Sequence, residues 1–450
     1  MRELDVDVLV LGGGAAGSLA AVAAVRAGKR VVLVRRGDGA TMLSSGAVDV
    51  AEHHVDGALG LTRHARQPGL PVREAAQQVA ERSRWHPYAR VRGTVPAIPE
   101  ALTMLAEVAR GAELWTRPDG ENMVLASTVG TVKRTAMAQS TMVHGDLADA
   151  HADEAVLVVH VPHVTLGDGK HVAGGLRWYT AQGGEGRGAL RVEDVVVPGI
   201  TTPDDGLRSP RELARRLQND EVREALARSL VEAVARAGRV RVVLLPPFFG
   251  LGGHAEWVRG LEARVGVPVA ELLSAPPSVP GERLQRALDE GVAREGATVL
   301  EGVAAPAVLT EGVVSHVDVV PHAGEVPYRV RAPQVVLCTG KYLGGGIRRE
   351  GHFAEPMLGL PVFIDGTHVT GGWVGGYVGE LPEDDQPFMR AGVLTDGTLQ
   401  PLKEDGRTVA IPGVRAAGNV LAGYDAARMG TGLGVAAVTG MLAGRWAAEG

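Results

Sequence analysis

The stretch Gly12-Gly13-Gly14-Ala15-Ala16-Gly17 constrains this chain more than any other, because of what flanks it. Asp7-Val8-Leu9-Val10-Leu11 is a short apolar run with no polar alternation after Asp7, which predicts a buried parallel strand. Residues 18–26 are alanine-rich and predict a helix, with Gly28 as its C-terminal cap, and Val31-Val32-Leu33-Val34 predicts the next strand. Strand, glycine turn, helix and strand within about 30 residues is the setting in which G-x-G-x-x-G binds a dinucleotide. Gly12 then permits the sharp turn, Gly14 the approach of backbone to a pyrophosphate, and Gly17 the close seating of helix on sheet. The helix start offers unpaired N–H groups and a partial positive charge to the phosphates.

One element departs from that pattern. The acidic residue that binds the adenosine ribose belongs at the end of the second strand, where this chain has Arg35-Arg36. The pair would suit a 2′-phosphate and hence NADP, a solvated loop, or the phosphates of a flavin dinucleotide.

The 450 residues suffice for two domains with ordinary cores. A formal charge of −6, with Lys and Arg scattered among acids, gives no case for a nucleic-acid partner. Met1-Arg2-Glu3-Leu4-Asp5 is too acidic to begin a signal peptide, and no uncharged apolar run of about 18 residues exists to span a membrane. The apolar runs 15–25 and 435–443 read as buried helices. Cys338, the sole cysteine, excludes an internal disulfide, a Cys-ligated iron–sulfur cluster and a zinc ribbon. The expected location is cytoplasmic, and any metal centres for onward electron transfer must lie in another protein.

The second half returns to the nucleotide fold. Residues 282–294 predict a helix, Thr298-Val299-Leu300-Glu301-Gly302 a strand, 303–330 a β hairpin, and Gln334-Val335-Val336-Leu337-Cys338-Thr339-Gly340 a buried strand ending in Thr-Gly. Val414-Arg415-Ala416-Ala417-Gly418 predicts another strand, followed by a loop over 419–425. Gly430-Thr431-Gly432-Leu433-Gly434 opens an apolar helix running to about Trp446, and such a start aims N–H groups at the pyrimidine edge of an isoalloxazine.

These residues resemble the B subunits of anaerobic glycerol-3-phosphate dehydrogenases, within the wider fumarate-reductase-like flavoproteins. Besides the N-terminal glycines, the matching pieces are Arg36-Gly37 with Ser44-Ser45-Gly46-Ala47-Val48-Asp49, Gly130-Thr131-Val132-Lys133-Arg134-Thr135, and Pro276-Pro277-Ser278-Val279-Pro280-Gly281 with Arg283-Leu284. Thr339-Gly340 with Gly344-Gly345-Gly346, Glu355-Pro356-Met357-Leu358-Gly359-Leu360 and Gly423-Tyr424-Asp425 match as well. Residues 144–195, rich in Gly and His, match nothing; Thr431 stands where members often carry cysteine, and Asn419 where many flavoproteins place an acid on the ribityl chain.

The resemblance implies an α/β protein: a Rossmann-like FAD/NAD(P)-binding domain, discontinuous in sequence (1–60, 280–345 and 386–450), with a substrate or cap region at 61–279 and 346–385. It implies FAD or FMN, oxidation of sn-glycerol 3-phosphate to dihydroxyacetone phosphate, and electrons passed toward quinone. The partners would be a catalytic flavoprotein subunit and an iron–sulfur, membrane-associated subunit, with this chain peripheral to the inner face of the membrane. Cofactor contacts are expected from Gly12, Gly14, Gly17, Arg35, Arg36, Ser44, Ser45, Gly46, Val303, Thr339, Gly340, Gly418, Asn419, Gly432 and Leu433. The substrate phosphate is expected at Lys133 and Arg134, then at Arg348 and Arg349, since Arg binds phosphate bidentately and Lys as a point charge. His352 and His254, in glycine-flanked loops, are the candidate proton acceptors. Asp49 and Asp425 would orient loops. His160 and His163 would face opposite sides of a strand broken by Pro162, so no metal site is expected. The alternatives are a related enzyme acting on a dicarboxylate or amino acid, a non-catalytic assembly or electron-relay subunit, and an NADP-dependent reductase resting on Arg35 and Arg36 alone.

Overall fold

The computed structural model describes all residues except 52–70, 152, 182–190, 198–199, 201–205, 323, 325, 350, 372–373 and 383. The chain forms two compact units: Met1–Thr41, Arg73–Arg110 and Gln285–Gly450 make the first, and Met42–Val72 with Gly111–Leu284 the second.

Five parallel strands form the heart of the first unit, in the spatial order Thr298–Ala304, Val31–Arg35, Val8–Leu11, Gln334–Leu337 and Val414–Ala416. Val8–Leu11, covered on both faces, is entirely buried, as its unbroken apolar run requires. Beyond Thr298–Ala304 the chain folds back antiparallel through Val313–Pro321 and Tyr328–Arg331, the hairpin anticipated from alternation, and Arg2–Asp5 adds the edge.

Two small-residue helices, Ala15–Arg26 and Gly432–Glu449, cross against this sheet at backbone contact. A Cβ on Gly440 would lie 2.3 Å from the Ala16 carbonyl oxygen, and one on Gly444 would lie 2.2 Å from that of Ala20. Any larger residue at either position would push the helices apart.

The boundaries differ from those expected. Residues 346–385 belong to the first unit, because Val362–Ile364 pairs with Gly392–Val393 and Arg390 binds Asp365 through both carboxylate oxygens. Residues 73–110 join it too: Arg26 bridges Glu107 and Glu295, and Gly291 packs on the Val108 carbonyl. Residues 42–51 instead go with the second unit, where Val48 pairs with Met137 and Gly46 packs against Pro280. The expected boundary at residue 60 lies outside the described residues.

The second unit holds its own parallel sheet, in the order Val269–Glu271, Val240–Leu245, Ala155–His160 and Arg191–Val196. Alternate residues face opposite sides. Leu157, Val159, Val243 and Leu245 pack on helices Asp220–Ala237 and His254–Val265, and Val156, Val158, Val242 and Leu244 on helix Gly169–Ala181. Much of the stretch that matches nothing in sequence is thus a strand, a helix and a strand of this sheet. Among the described residues no helix is long and apolar enough to cross a membrane.

Candidate functional site: a dinucleotide cleft in the first unit

At the carboxyl end of the central strands lies a cleft of about 400 Å³. Its floor is the glycine turn. Gly12 has φ +116°, and a Cβ there would meet the Cys338 carbonyl oxygen at 2.2 Å. At Gly17 a Cβ would come within 1.8 Å of the Gly12 carbonyl oxygen, so glycine is required where helix meets turn. Gly14 is the N-cap of helix Ala15–Arg26 and supplies no side chain to cap it; the Ala15 N–H instead donates to Thr41 Oγ1 at 3.0 Å. Gln285 braces the turn from below, its Nε2 donating to the Gly13 carbonyl at 2.8 Å and to Asp289 at 2.9 Å.

Of the residues expected at the cofactor, Gly12, Gly14, Arg36, Val303, Thr339, Gly340 and Asn419 line this cleft, and so does Arg348, expected at the substrate phosphate. Others do not line it. Gly17 and Gly418 act by close packing; a Cβ on Gly418 would lie 2.6 Å from that of Ala16. Arg35 turns away, with Nη1 2.5 Å from Asp289 and Nε 3.1 Å from Glu301. The cation offered as an NADP signal is therefore spent on two carboxylates. Ser44, Ser45 and Gly46 fall in the second unit, where the serine hydroxyls accept the N–H groups of Gly46 and Ala47. Gly432 and Leu433 start the C-terminal helix, half-buried.

Two atoms on the cleft wall fit a bound ligand. Thr339 Oγ1 and Asn419 Oδ1 are buried and have no protein partner, an arrangement that destabilises a protein unless something meets it. Asp38, which sequence reasoning passed over, lines the cleft three residues beyond the position searched for an acid. The signal was present: an Asp in the loop that follows the second strand. Pro356 and Met357 form part of the wall. Their loop is fixed by Glu355, whose carboxylate accepts from the N–H groups of Met357 and Leu358, both at 2.8 Å, and Leu360 at 3.4 Å. Burial pushes the Glu355 carboxyl up, and these amides draw it back.

Behind Gly340 lies a polar cluster that no motif announced. Lys341 is buried, its Nζ donating to the carbonyls of Met389 at 2.6 Å and Tyr424 at 3.3 Å, and it sits 5.2 Å above the Tyr424 ring. Burial brings it down to about 7, against the pull of Asp425 and with help from Arg390. His86 is fully buried, and burial brings it down to about 3. Its Nδ1 accepts the Tyr88 N–H at 3.1 Å, so the neutral ring carries its proton on Nε2 and donates to Thr431 Oγ1 at 3.3 Å. Thr431 is the N-cap of the C-terminal helix.

The remaining candidates lie elsewhere. Arg349 and His352 are exposed and are not among the cleft-lining residues. Lys133 and Arg134 sit on the strand Val132–Thr135 of the second unit. Lys133 is ion-paired to Asp49; burial pushes that carboxyl up, and Lys133 and Thr135 oppose the shift. His254, also in the second unit, is buried with neither ring nitrogen hydrogen-bonded. Among the described residues no group of three or more His, Cys, Asp or Glu is placed to hold a metal.

A parallel sheet, a glycine turn at a helix start and a cleft with unpartnered polar atoms define a dinucleotide-binding protein. The chain belongs to the family of FAD binding domains, which it matches over residues 7–435, and its cofactor is FAD. It is 28% identical over 97% of its length to the B subunit of anaerobic glycerol-3-phosphate dehydrogenase from Vibrio cholerae serotype O1, covering 95% of that protein. The protein of the same name from Pectobacterium atrosepticum is also 28% identical, with 97% and 96% of the two chains covered. Among solved structures, the 3-ketosteroid-Δ4-(5α)-dehydrogenase of Rhodococcus jostii RHA1 is 12% identical over 100% of this chain and 98% of that one, with a TM-score of 0.44.

Proposed function

We propose that this FAD-dependent oxidoreductase is the B-type subunit of a quinone-linked glycerol-3-phosphate dehydrogenase. The observation that carries this reading is the extent of the similarity to relatives of that name. It runs through 97% of the chain, and so through the second unit as well as the nucleotide fingerprint. The reaction would oxidise the C2 hydroxyl of sn-glycerol 3-phosphate to the ketone of dihydroxyacetone phosphate. Electrons would leave through a partner flavoprotein subunit and an iron–sulfur subunit to quinone.

When bound, FAD supplies the two-electron acceptor. The chain's own residues would hold and shield it. The N–H groups at the start of helix Ala15–Arg26 would face the pyrophosphate, with Gly12 and Gly14 leaving room for it and Arg36 and Arg348 adding positive charge. Asp38 would take ribose hydroxyls, and Thr339 and Asn419 would gain the partners they lack. The hydroxyl proton must pass to a base, for which His352 and His254 are the candidates. Lys133 would serve the substrate phosphate only in competition with Asp49, which already holds its ammonium.

An anaerobic absorbance spectrum of the purified chain, before and after sn-glycerol 3-phosphate, tests the reading. Bleaching of the flavin band is the expected result. A band that persists, with the partner subunits present, would sink the proposed substrate.

A further inference from the structure

The dinucleotide cleft has two ends, and the strand order tells them apart. Thr298–Ala304 and Val31–Arg35 lie on one side of the central strand Val8–Leu11, and Gln334–Leu337 and Val414–Ala416 on the other. In the placement of FAD proposed above, the pyrophosphate sits at Gly14, beyond the central strand. Asp38 and Val303 line the cleft on the first side, where that placement puts the ribose of the adenosine half. The flavin half then takes the second side, walled by Thr339, Gly340 and Asn419.

Lys341 follows Gly340 directly, and the chain returns to the cleft wall at Leu343. Between these wall residues the lysine side chain is buried, 5% exposed, with Nζ donating to the carbonyls of Met389 at 2.6 Å and Tyr424 at 3.3 Å. Among the described residues no carboxylate forms an ion pair with it. The residues next to its two acceptors carry the charges that act on it. Arg390 opposes its proton, but that guanidinium is itself paired with Asp365 and Asp385. Asp425 favours the proton, while its carboxylate accepts the N–H groups of Ala427 and Arg428 at 3.1 and 3.0 Å. The Tyr424 ring lies 5.2 Å from Nζ, with the neutral His86 ring 5.3 Å from it. A buried ammonium without a contacting carboxylate is unfavourable, and less so once negative charge appears nearby. Two-electron reduction puts such a charge in the flavin half of the cleft.

We propose that Lys341 is the proton-linked counter-charge of the reduced flavin. FAD gains two electrons and one proton to become the reduced anion, and the Lys341 amine takes one further proton from solvent to become ammonium. Reoxidation releases both electrons and both protons. Lys341 acts through its field and touches neither cofactor nor substrate, so it is not a catalytic residue. Its amine, brought down to about 7 by burial, is poised to respond near neutral pH.

The test is reductive titration of the FAD-loaded full chain with dithionite and indicator dyes, from about pH 6 to about pH 9, in wild type and Lys341→Met. Below about pH 7 the amine is charged in both flavin states and favours the reduced one. The variant's reduction equilibrium should there be lower by about tenfold, or about 30 mV for a two-electron couple. A tenfold preference raises the amine by about one unit on reduction, so above about pH 8 it is neutral in both states and the two curves should meet. Equal potentials at about pH 6, or a difference that stays constant to about pH 9, overturns the proposal, because a packing role does not titrate. Should Lys341→Met lose its cofactor, Asp425→Asn carries the test. It keeps the loop's acceptor but removes the pull on the amine, so the step should move to lower pH, and an unmoved step overturns the proposal. Dithionite needs no substrate, so a failure of glycerol 3-phosphate to bleach the flavin overturns only the proposed function. Asn419→Leu checks the placement of FAD on which the inference rests. Weakened FAD binding there beside unchanged potentials removes Lys341 alone; full affinity beside unchanged potentials overturns the placement as well.

Discussion

Replacing Arg283 by methionine should unfold the second unit far more readily than any surface change. The Arg283 and Glu271 side chains are 1% and 0% exposed and meet at 3.1 Å. Arg283 also donates to Gln139 Oε1 at 2.7 Å and to the Gly250 carbonyl, while Glu271 accepts from the Phe249 N–H at 2.9 Å and from Thr141 at 2.6 Å. Methionine keeps the apolar stem but leaves a carboxylate uncompensated in the interior, a loss of about 3–5 kcal/mol. For a unit of this size the melting temperature should fall by roughly 6–20 °C. Removing both charges, Arg283→Met with Glu271→Met, should recover at least about 1 kcal/mol over the single variant, because no charge is then stranded. Urea unfolding and amide exchange at Val240–Leu245 would measure both effects. A single variant within about 1 kcal/mol of wild type, or a double variant worse than the single, would refute the reasoning.

Three further expectations concern the first unit. Gly440→Val should destabilise it by about 1–3 kcal/mol and weaken FAD retention, since the new side chain starts 2.3 Å from the Ala16 carbonyl oxygen; thermal melts and the flavin content of the purified variant check this. Asn419→Leu should leave the FAD-free chain as stable as wild type or slightly more so, because it removes a buried acceptor without a partner. It should loosen FAD by about tenfold, and a variant that keeps full affinity would exclude that contact. His86 stays neutral when folded down to about pH 3, whereas unfolded it takes a proton near 6.5. Its contribution to stability is therefore complete above about pH 6.5 and is lost as pH falls from there toward 3, at up to about 1.4 kcal/mol per pH unit. His86→Phe should flatten that part of the stability–pH curve, and an unchanged slope would remove His86 as its source.

Much of the first unit was legible in the chain because its signals are local. Unbroken apolar runs mark Val8–Leu11 and Gln334–Leu337, and glycines at 12 and 17 stand where a Cβ has no room. The role of Arg35 was not legible, since its partners, Asp289 and Glu301, lie over 250 residues away and only pairing of Val31–Arg35 with Thr298–Ala304 brings them near. Lys341 and His86 escaped notice for the same reason: their functional interest comes from burial, which no spacing records. The second unit's sheet was missed because its strands alternate with loops rich in Gly and His that carry no fingerprint. Yet the stretches 155–159 and 242–245 are the same kind of apolar run that marked the first unit.

The pairing of helix Ala15–Arg26 with Gly432–Glu449 also sets the order in which a growing polypeptide can mature. On the ribosome the fingerprint is made first, but the surface of Ala16 and Ala20 stays uncovered until Gly440 and Gly444 emerge. The stretch Gly111–Leu284 of the second unit is complete long before that. Contacts spanning over 400 residues are slow to form and leave apolar surface exposed while they wait. Firm retention of FAD is therefore expected only once Gly432–Glu449 has docked, and a chain halted before Gly432 should carry a finished second unit and a nucleotide fold that holds FAD weakly.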